Sequence, residues 1–476
     1  MMRLTLPAAL FALSAPALAA AGGLVVGERT PLGLARGGAV AASVRDPSAV
    51  DLNPGALARL KGAHAFYSHE VTWQRVRFER ARSAIPQDAN VAPSVDPYAP
   101  VSEQGDPFAL GAMVAASHDL GLRDWVFALS LYGPHGVAAQ AWPRAGGQRW
   151  LTTGYDGVIL FPGVSAAWGG PRFGVGITAQ AATMPRLNYR LVVDGSTGSG
   201  LAPLASAAEV EAELRVRDPF APTALVGAWV QATPWLDLAL SGRAVPVVFD
   251  ASGDFVLRNV PGQGAFTPEQ LTVPGAAART RLTLPATARV AARVHDPAPA
   301  PEAERWDVEL QGQWAGWSTM NQQRLALDGE IRLFGAEPVP DVVLPRRWRD
   351  TLGLSLGGSF SPLPGRLRLH AGASVERGAT PPRYAHIDFV SFDRLGLGLG
   401  AEGTFHVASA ALRLAVGYAR VLQPDQVTAE QDAKVPQQRP LAPCPSECDG
   451  RDAPAVNAGR IESGFDLLGV SLHAAF

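Results

Sequence analysis

The chain contains very little lysine or cysteine, and it has no long apolar stretch beyond its first residues. Lys61 and Lys434 are the only lysines, so almost all of the basic residues are arginines. With 41 basic and 43 acidic residues, the formal net charge is -2, which provides no electrostatic basis for binding nucleic acid. After the N-terminal leader, no run approaches the ~18 apolar residues of a transmembrane helix. The sequence therefore argues against a helical membrane protein and against a nucleic-acid partner.

The N-terminus has the pattern of a secretory signal peptide. Arg3 supplies a short positive region, residues 4–15 are apolar, and Ala17-Leu18-Ala19 matches a small-x-small cleavage site. We expect residues 1–19 to be the signal peptide of an exported protein, with a lone N-terminal membrane anchor as the alternative. No cysteine follows the cleavage site, which argues against a lipoprotein.

Cys444 and Cys448 are the only two cysteines. In an exported chain they favour a small disulfide in a surface loop, and two free thiols are the alternative. The pair alone is a poor zinc site, because zinc takes four ligands and no histidine lies nearby. The sequence therefore predicts neither a metal nor another cofactor.

Apolar residues recur with a period of two, which indicates strands with one apolar and one polar face. In residues 366–376 one face carries Leu367, Leu369, Ala371, Ala373 and Val375, and the other carries Arg366, Arg368, His370, Ser374 and Glu376. Residues 289–295 and 307–313 repeat the alternation. A soluble sandwich also alternates in this way, so a single strand does not decide the class.

The connections between the strands decide more than the strands do. Short polar turns such as "WGGPR" and "FHVAS" alternate with long loops over residues 79–105, 194–215, 260–278 and 423–458. Such alternation is typical of an up-and-down barrel in the outer membrane, which has tight periplasmic turns and long outer loops. Counting both kinds predicts an all-β, antiparallel transmembrane barrel of about fourteen strands.

The last ten residues alternate and end on an aromatic residue. Leu468, Val470, Leu472, Ala474 and Phe476 share one face. This ending resembles the recognition signal of outer-membrane barrels, which implies that the barrel assembly machinery binds the strand through Phe476. An ordinary final strand is the alternative.

Motifs for catalysis are missing from the sequence. It contains neither G-x-S-x-G nor H-E-x-x-H. "GLGAEG" at 398–403 matches G-x-G-x-x-G, but it lies inside an alternating strand with no helix after it, so we interpret its glycines as thinning a crowded wall. His370 and His473 lie on polar strand faces, which favours lining of a lumen over catalysis. We therefore expect that the protein is not an enzyme.

Several stretches, in their order and spacing, resemble the FadL/TodX family of outer-membrane transporters for long-chain fatty acids and other hydrophobic compounds. They are "GLARGGAVAASVRDPSAVDLNPGAL" (33–57), "LYGPHG" (131–136), "WRDTLGLSLGGSF" (348–360) and "GRIESGFDLLGVSL" (459–472). The first is similar to the N-terminal hatch of the family, with matches at Gly33, Arg36, Asp46, Ser48, Asn53 and Pro54. The family usually has Asn-Pro-Ala, whereas Gly55 here precedes Ala56.

The resemblance implies a domain organisation and a transport route. Residues 20–62 would form the hatch, a plug with short helices, and residues 63–476 the barrel. A hydrophobic small molecule would be caught at the outer loops, pass to a site inside the barrel and leave sideways into outer-membrane lipid through a gap in the wall. The resemblance implies neither an energy source nor covalent chemistry, and we expect a monomer.

Asn53-Pro54-Gly55 cannot belong to a central strand. Pro54 lacks an N–H, Asn53 before it is pushed out of the α region, and Gly55 adds backbone freedom. A plug tolerates such irregular backbone at membrane depth because it is enclosed by protein. We interpret the tripeptide as a gating hinge, and a plain periplasmic linker is the alternative.

Candidate ligand-binding residues lie in two outer loops and on the polar strand faces. Residues 200–216 are predicted to be partly helical, and residues 264–273 surround a capped turn at Thr267-Pro268. The apolar candidates in these loops are Leu201, Leu204, Val210, Leu214, Phe266 and Leu271. Arg289, Arg293 and Arg368 are candidates for binding an acid headgroup. Ordinary loop packing and pairing with acids such as Glu309 are the respective alternatives.

Passive, substrate-gated uptake is the function that these patterns favour. A general diffusion porin would need an open lumen, which a plug disfavours. A structural or adhesive surface barrel would use the long loop 423–458. A barrel-embedded lipase lacks a nucleophile constellation.

Overall fold

Fourteen antiparallel strands form a closed barrel in the computed structural model, which describes residues 29–82, 98–105, 111–133, 139–194, 209–261, 266–333, 337–438 and 455–476. The wall strands in chain order are β1 (Ala63–Arg80), β2 (Met113–His118), β3 (Trp125–Tyr132), β4 (Gly163–Gly170), β5 (Phe173–Asp194), β6 (Glu209–Thr233), β7 (Leu236–Val245), β8 (Thr287–His295), β9 (Trp306–Ala315), β10 (Thr351–Leu363), β11 (Leu367–Glu376), β12 (Arg394–Val407), β13 (Ala410–Leu422) and β14 (Gly459–Ala475). The predicted leader and both cysteines lie outside the described residues.

Each wall strand pairs with its neighbours in sequence, and the last strand pairs with the first. β14 runs antiparallel to β1 from the pair His64–Ala475 to the pair Arg80–Gly459. The ladder between β13 and β14 continues the wall on the other side. The predicted fourteen-stranded, up-and-down barrel is therefore confirmed, and the wall has no open edge at its closing seam.

The connections alternate in length as the sequence predicts. Short turns join β2 to β3, β4 to β5, β6 to β7, β8 to β9, β10 to β11 and β12 to β13 at one end of the barrel, which we call the short-turn end. The other seven connections lie at the long-loop end. They include strands that extend the wall, at Val101–Ser102, Ala139–Ala141, Gly154–Leu160, Val247–Asn259, Ala277–Leu284, Gln322–Asp328, Val342–Pro345 and Gln426–Thr428. Glu330–Ile331 and Glu337–Pro338 form a separate two-stranded sheet.

The two faces of the wall strands differ as predicted. On β11 the side chains of Leu369 and Val375 are exposed, whereas His370 between them is buried in the lumen. Outward-facing aromatic side chains gather near the short-turn end: Trp125, Trp168, Phe173, Trp235, Trp306, Phe360, Phe405 and Phe476. An apolar outer face with an aromatic girdle matches a barrel that is surrounded by lipid.

Residues 29–60 fill the lumen between opposite walls, and we call this described part the hatch. It contains α1 (Pro31–Ala35), α2 (Ala49–Leu52) and a 3-10 helix over Pro54–Arg59. α1 packs against β11 to β14, and the 3-10 helix packs against β3 to β6. None of the helices in the described parts of the chain is long and apolar enough to cross a membrane.

The segment predicted to be a partly helical loop at 200–216 is a strand where it is described. Residues 209–216 begin β6, which pairs with β5 on one side and with Val247–Asn259 on the other. Hydrogen bonding on both edges overrides the helix propensity of this Ala- and Glu-rich stretch. The helical prediction is therefore wrong for residues 209–216.

The second predicted loop feature is confirmed. α3 (Pro268–Leu271) begins after Thr267, whose hydroxyl accepts a hydrogen bond from the Gln270 N–H at 3.4 Å. The Gln270 side chain accepts one from the Thr267 N–H at 2.9 Å, which completes a capping box. Four further 3-10 helices lie at Pro301–Ala303, Trp317–Thr319, Pro382–Tyr384 and Glu430–Asp432.

Candidate functional site

Asn53 ties the hatch together and to the barrel wall. Its side-chain N–H groups donate to the main-chain carbonyls of Ala41, at 2.8 Å, and of Ala228 on β6, at 3.1 Å. Its side-chain oxygen accepts from the Gly55 N–H at 3.1 Å and so caps the 3-10 helix that Pro54 begins. Because Asn53 is fully buried, all three hydrogen bonds are shielded from water. This asparagine therefore fixes both the turn and its position on the wall.

Glycine residues allow the hatch backbone to lie directly on the wall. A Cβ at Gly55 would come within 2.6 Å of the Gly227 carbonyl oxygen, and the Trp229 indole N–H donates to the Gly55 carbonyl at 3.0 Å. A Cβ would overlap hatch atoms at the wall glycines Gly176, Gly227, Gly372, Gly398 and Gly417. The glycine-rich stretch at 398–403 thus includes a position where the wall is thinned to admit α1, as the sequence predicts.

Arg36 anchors the hatch to the opposite side of the barrel. Its guanidinium lies 2.7 Å from the carboxylate of Asp307 and 3.3 Å from that of Glu309, and it also donates to the Ser359 hydroxyl. The Gln311 side chain accepts from the N–H groups of residues 40 and 41, and Glu309 accepts from that of residue 42. All of these side chains are buried. A buried network of this kind strongly resists loss of any one member.

Gly33 and Asp46 have local roles within the hatch. The Gly33 N–H donates to the Thr30 hydroxyl at 3.1 Å, which caps α1. The Asp46 carboxylate accepts from the Ser48 N–H at 2.8 Å, just before α2. Gly33 lines the interior cavity described below, whereas Asp46 is half-buried and remote from it.

The predicted apolar loop residues fall into three groups. Val210 and Leu214 are buried on the lumen side of β6. Phe266 is buried, and Leu271 lines a groove at the long-loop end together with side chains of the strand Val247–Asn259. Leu201 and Leu204 lie outside the described residues.

Two of the three headgroup candidates belong to the charged network of the wall. Arg293 lies 3.2 Å from Asp237 and 3.4 Å from Asp307 and also pairs with Glu304. Arg368 pairs with the same Asp307 and Glu304. Arg289 differs, because it lies beside the interior cavity and donates to the Gln313 side chain at 3.3 Å and to the Asp51 carbonyl at 3.4 Å.

The interior cavity lies between the hatch and the wall and has both apolar and cationic linings. Its volume is about 160 Å³. Its apolar lining includes Leu34, Leu225, Trp317, Ala419 and Val421, all of which are buried. Its charged lining consists of Arg29, Arg243, Arg289 and Arg394 with Asp51 and Glu376. Four arginines against two carboxylates leave the cavity with an excess of positive charge.

Three of these arginines were missed by sequence reasoning. Arg29 pairs with Asp51 at 3.3 Å, and Arg394 pairs with Glu376. Arg243 instead donates to the neutral Thr223 at 2.7 Å, and among the described residues it has no carboxylate within ion-pair distance. The only indication in the sequence was that some arginines lie on the polar, inward face of strands whose residues alternate in polarity. Arg29, Arg243 and Arg394 belong to the hatch, β7 and β12, respectively, so the sequence alone does not show that they converge on one cavity.

A second cavity opens at the short-turn end, below the hatch. It is lined mainly by charged and polar side chains, including Arg45, Arg59, Asp237, Glu304 and Arg413. Arg59 stacks on the Trp229 ring at 3.6 Å and reaches Asp237 at 3.3 Å. The hatch therefore separates the interior cavity, with its apolar and cationic lining, from a polar vestibule at the short-turn end.

This chain is similar to known outer-membrane transport proteins in sequence profile and in structure. The profile of the family described as outer membrane protein transport protein (OMPP1/FadL/TodX) matches residues 170–444. A Pseudomonas aeruginosa FadL homologue aligns with a TM-score of 0.73 at 18% identity over 96% of this chain and 100% of that one. The Pseudomonas putida toluene transporter TodX aligns with a TM-score of 0.62 at 14% identity, over 95% and 98% of the two chains.

The Ralstonia pickettii toluene transporter TbuX is also similar, with a TM-score of 0.60 at 13% identity over 95% of this chain and 99% of that one. At such identities the structural similarity shows the fold. Among curated protein sequences, no match was found.

The closed fourteen-stranded barrel with a filled lumen, together with the family profile, identifies the class as an outer-membrane transport protein. The family profile spans more than half of the sequence, and the chain belongs to the OMPP1/FadL/TodX family of outer-membrane transport proteins. The short-turn end therefore faces the periplasm, and the long-loop end faces the outside of the cell.

Proposed function

We propose that this protein takes up hydrophobic molecules with an anionic headgroup, long-chain fatty acids in particular, without an energy source. The observation that carries the proposal is the interior cavity, where apolar side chains and four arginines face the same space. A carboxylate in such a dry site needs a cationic partner, and an arginine supplies it with two parallel hydrogen bonds. Arg243 and Arg289 are the proposed headgroup ligands.

Capture would begin at the extracellular groove beside α3. Phe255, Leu257, Leu271 and Val273 line this groove among polar neighbours. An apolar groove rimmed by polar residues is typical of a binding surface. Burying a sixteen-carbon chain contributes on the order of 12 kcal/mol gross, at ~0.8 kcal/mol per methylene. Binding of that strength requires a device that releases the ligand again.

The hatch is the proposed release device. Its N-terminal part, from Arg29 to Gly38, lines the interior cavity, so a small shift of α1 would change the shape of the site. The hatch is tied to the wall by Arg36, directly after α1, and by Asn53. We therefore place the movement in residues 29–35 and treat Asn53-Pro54-Gly55 as the fixed pivot.

Release would be sideways, between β1 and β2. The ladder between these strands joins residues 63–68 to residues 113–118, whereas β1 itself continues to Arg80. Among the described residues, β1 pairs again on this side only at Arg77 and Phe78, with Val101–Ser102. A ligand that leaves between these two strands would pass into lipid without crossing the periplasm.

The test compares binding of a long-chain acid with binding of an alkane of equal length to purified protein. We expect the acid to bind more tightly and Arg243→Gln to remove most of that preference. Arg281→Gln, which breaks an exposed pair with Asp250, is the matched control. Mass spectrometry of lipid that is copurified with the protein would identify the natural ligand. Equal binding of acid and alkane by the parent protein would favour a neutral hydrocarbon as the substrate.

A general diffusion porin is the alternative function. The hatch opposes it, because residues 29–60 are almost entirely buried between the walls. Steady ionic conductance of the parent protein in a planar bilayer would favour the porin. We expect closed or rare, brief openings instead.

A further inference from the structure

The connection between β11 and β12, residues 377–393, crosses the extracellular mouth of the barrel. We call it the strap. The Asp388 main-chain carbonyl accepts hydrogen bonds from the Tyr155 hydroxyl and the Gln140 side chain, both at 3.2 Å. Tyr155 and Gln140 belong to the connection between β3 and β4. In a closed barrel of fourteen strands, β4 and β11 are seven strands apart, so the strap reaches the opposite wall.

The Asp388 carboxylate attaches the strap to the connection between β9 and β10, through Arg346, and to β5 on the far wall, through Tyr189. The Arg346 guanidinium makes two parallel contacts with Asp388, at 2.8 and 2.5 Å. The Tyr189 hydroxyl donates to the same carboxylate at 3.0 Å, and His386 Nδ1 lies 2.6 Å from it. Asp388 and Arg346 are both almost completely buried. Such an ion pair is stable only while both partners are present, because an unpaired buried charge is strongly unfavourable.

A row of aromatic rings connects this attachment to the interior cavity. Phe389 lies 5.4 Å from Tyr155 and 6.4 Å from Trp348, measured between ring centroids. Trp348 packs edge-on against Trp317 at 5.3 Å, and Trp317 lines the cavity. The strap and its aromatic neighbours therefore form the roof above the ligand site proposed here.

We propose that the strap is the lid of the interior cavity and that Asp388 is the latch that holds it closed. Release of Asp388 would free the tip of the strap from Arg346, Tyr189, Tyr155 and Gln140 together, because all four contact this one residue. The base of the strap stays attached, since the Gln423 side chain donates to the carbonyls of Val390 and Phe392. The lid thus has a fixed base and a releasable tip. It adds an outer gate to the uptake route proposed above.

The test measures access to the cavity without any lipid ligand. Ser355, which lines the cavity, is changed to cysteine after Cys444 and Cys448 are changed to serine. A water-soluble maleimide then reports the rate at which the cavity thiol is labelled in purified, folded protein. We expect Asp388→Asn to raise this rate at least about tenfold, because Arg346 loses its buried partner. Asp341→Asn, which breaks an exposed pair with Arg324, is the matched control and should leave the rate unchanged.

A second variant separates the latch from general damage. Arg346→Gln removes the same ion pair from the other side and should raise the labelling rate to a similar extent. The double variant should exceed either single variant by little, because the two residues share one interaction. Unchanged labelling in both single variants, with the barrel still folded by gel mobility, would overturn the proposal. Because the assay uses no lipid, its failure is distinct from a failure of the fatty-acid proposal.

Discussion

The hatch and the strap both fill the barrel, but they are attached to its wall in different ways. The hatch is hydrogen-bonded to the wall along its length. Its carbonyls accept from the hydroxyls of Thr178 on β5 and Ser241 on β7, and its N–H groups donate to the Gln311 side chain on β9.

The strap reaches the far wall through Asp388, which contacts Gln140, Tyr155 and Tyr189 there. A segment that is held at many points can shift only in part, whereas the hydrogen bonds of the strap tip to these three residues all involve one residue, Asp388, and can be lost together. We therefore expect the tip of the strap to open on its fixed base and the hatch to adjust locally.

Removing the Arg36 anchor should have the largest effect. Arg36→Met leaves the buried carboxylates of Asp307 and Glu309 without one of their positive partners. The free energy that docks the hatch on the wall should fall by about 3–5 kcal/mol. Bilayer conductance should rise while the barrel still migrates as a folded species on gels. Arg186→Met breaks an exposed pair with Asp156 and is the control, with a change near zero. Parent-like conductance of the Arg36 variant would show that the hatch is held elsewhere.

Filling a wall glycine should displace only the N-terminal part of the hatch. Gly398→Val places a side chain where the carbonyl oxygen of Leu34 lies, and overpacking of this kind costs about 1–3 kcal/mol. We expect weaker binding of a long-chain acid and normal barrel assembly. At Gly312 a Cβ would meet nothing closer than 3.8 Å, so Gly312→Val is the matched control. Equal binding by the two variants would argue that α1 does not shape the site.

Weakening the pivot should have a smaller effect. Asn53→Ala removes the donors to the carbonyls of Ala41 and Ala228, at a cost of about 1–3 kcal/mol. Uptake of a long-chain acid should slow several-fold, and Pro54→Ala should slow it less. Asn188→Ala, which loses contacts with Asp156 on the wall, should leave uptake unchanged. Normal uptake in both hatch variants would reduce this stretch to a structural tether.

Acid should loosen the strap slightly. Burial lowers the pKa of His386, and the nearby Arg346 also lowers it, while Asp388 opposes both. The released strap therefore binds a proton more readily, so the closed state loses stability as the pH falls below the ordinary histidine pKa of about 6.5.

Two other titratable groups near His386, Asp388 and Tyr155, do not titrate between pH 5.5 and 7.5. Burial alone would raise the pKa of Asp388, but Arg346 and His386 outweigh it and hold that pKa well below its usual range. Burial raises the pKa of Tyr155, and the Asp388 charge adds to this rise. Labelling of the cavity thiol, taken as a ratio to His386→Gln at each pH, should rise toward pH 5.5. A flat ratio would exclude His386 as the cause.

The strands could be predicted from the sequence because their signal is local. Alternation in residues 366–376 places Leu369 outward and His370 inward, and the structure agrees. Residues 209–216 were predicted as partly helical, although Glu209, Glu211 and Glu213 alternate with Val210, Ala212 and Leu214 as in a strand. Their two hydrogen-bonding partners, β5 and the strand Val247–Asn259, lie elsewhere in the sequence.

The sequence by itself determined the barrel, its number of strands, the outward and inward faces and the irregular tripeptide that no wall strand could accommodate. Only the tertiary structure decided which inward residues meet. Arg293 and Arg368 were headgroup candidates, yet they pair with Glu304 and Asp307, whereas Arg243 and Arg289 border the cavity. Closure of β14 onto β1 brings distant strands to one lumen, so contacts across it depend on the whole wall rather than on any local period.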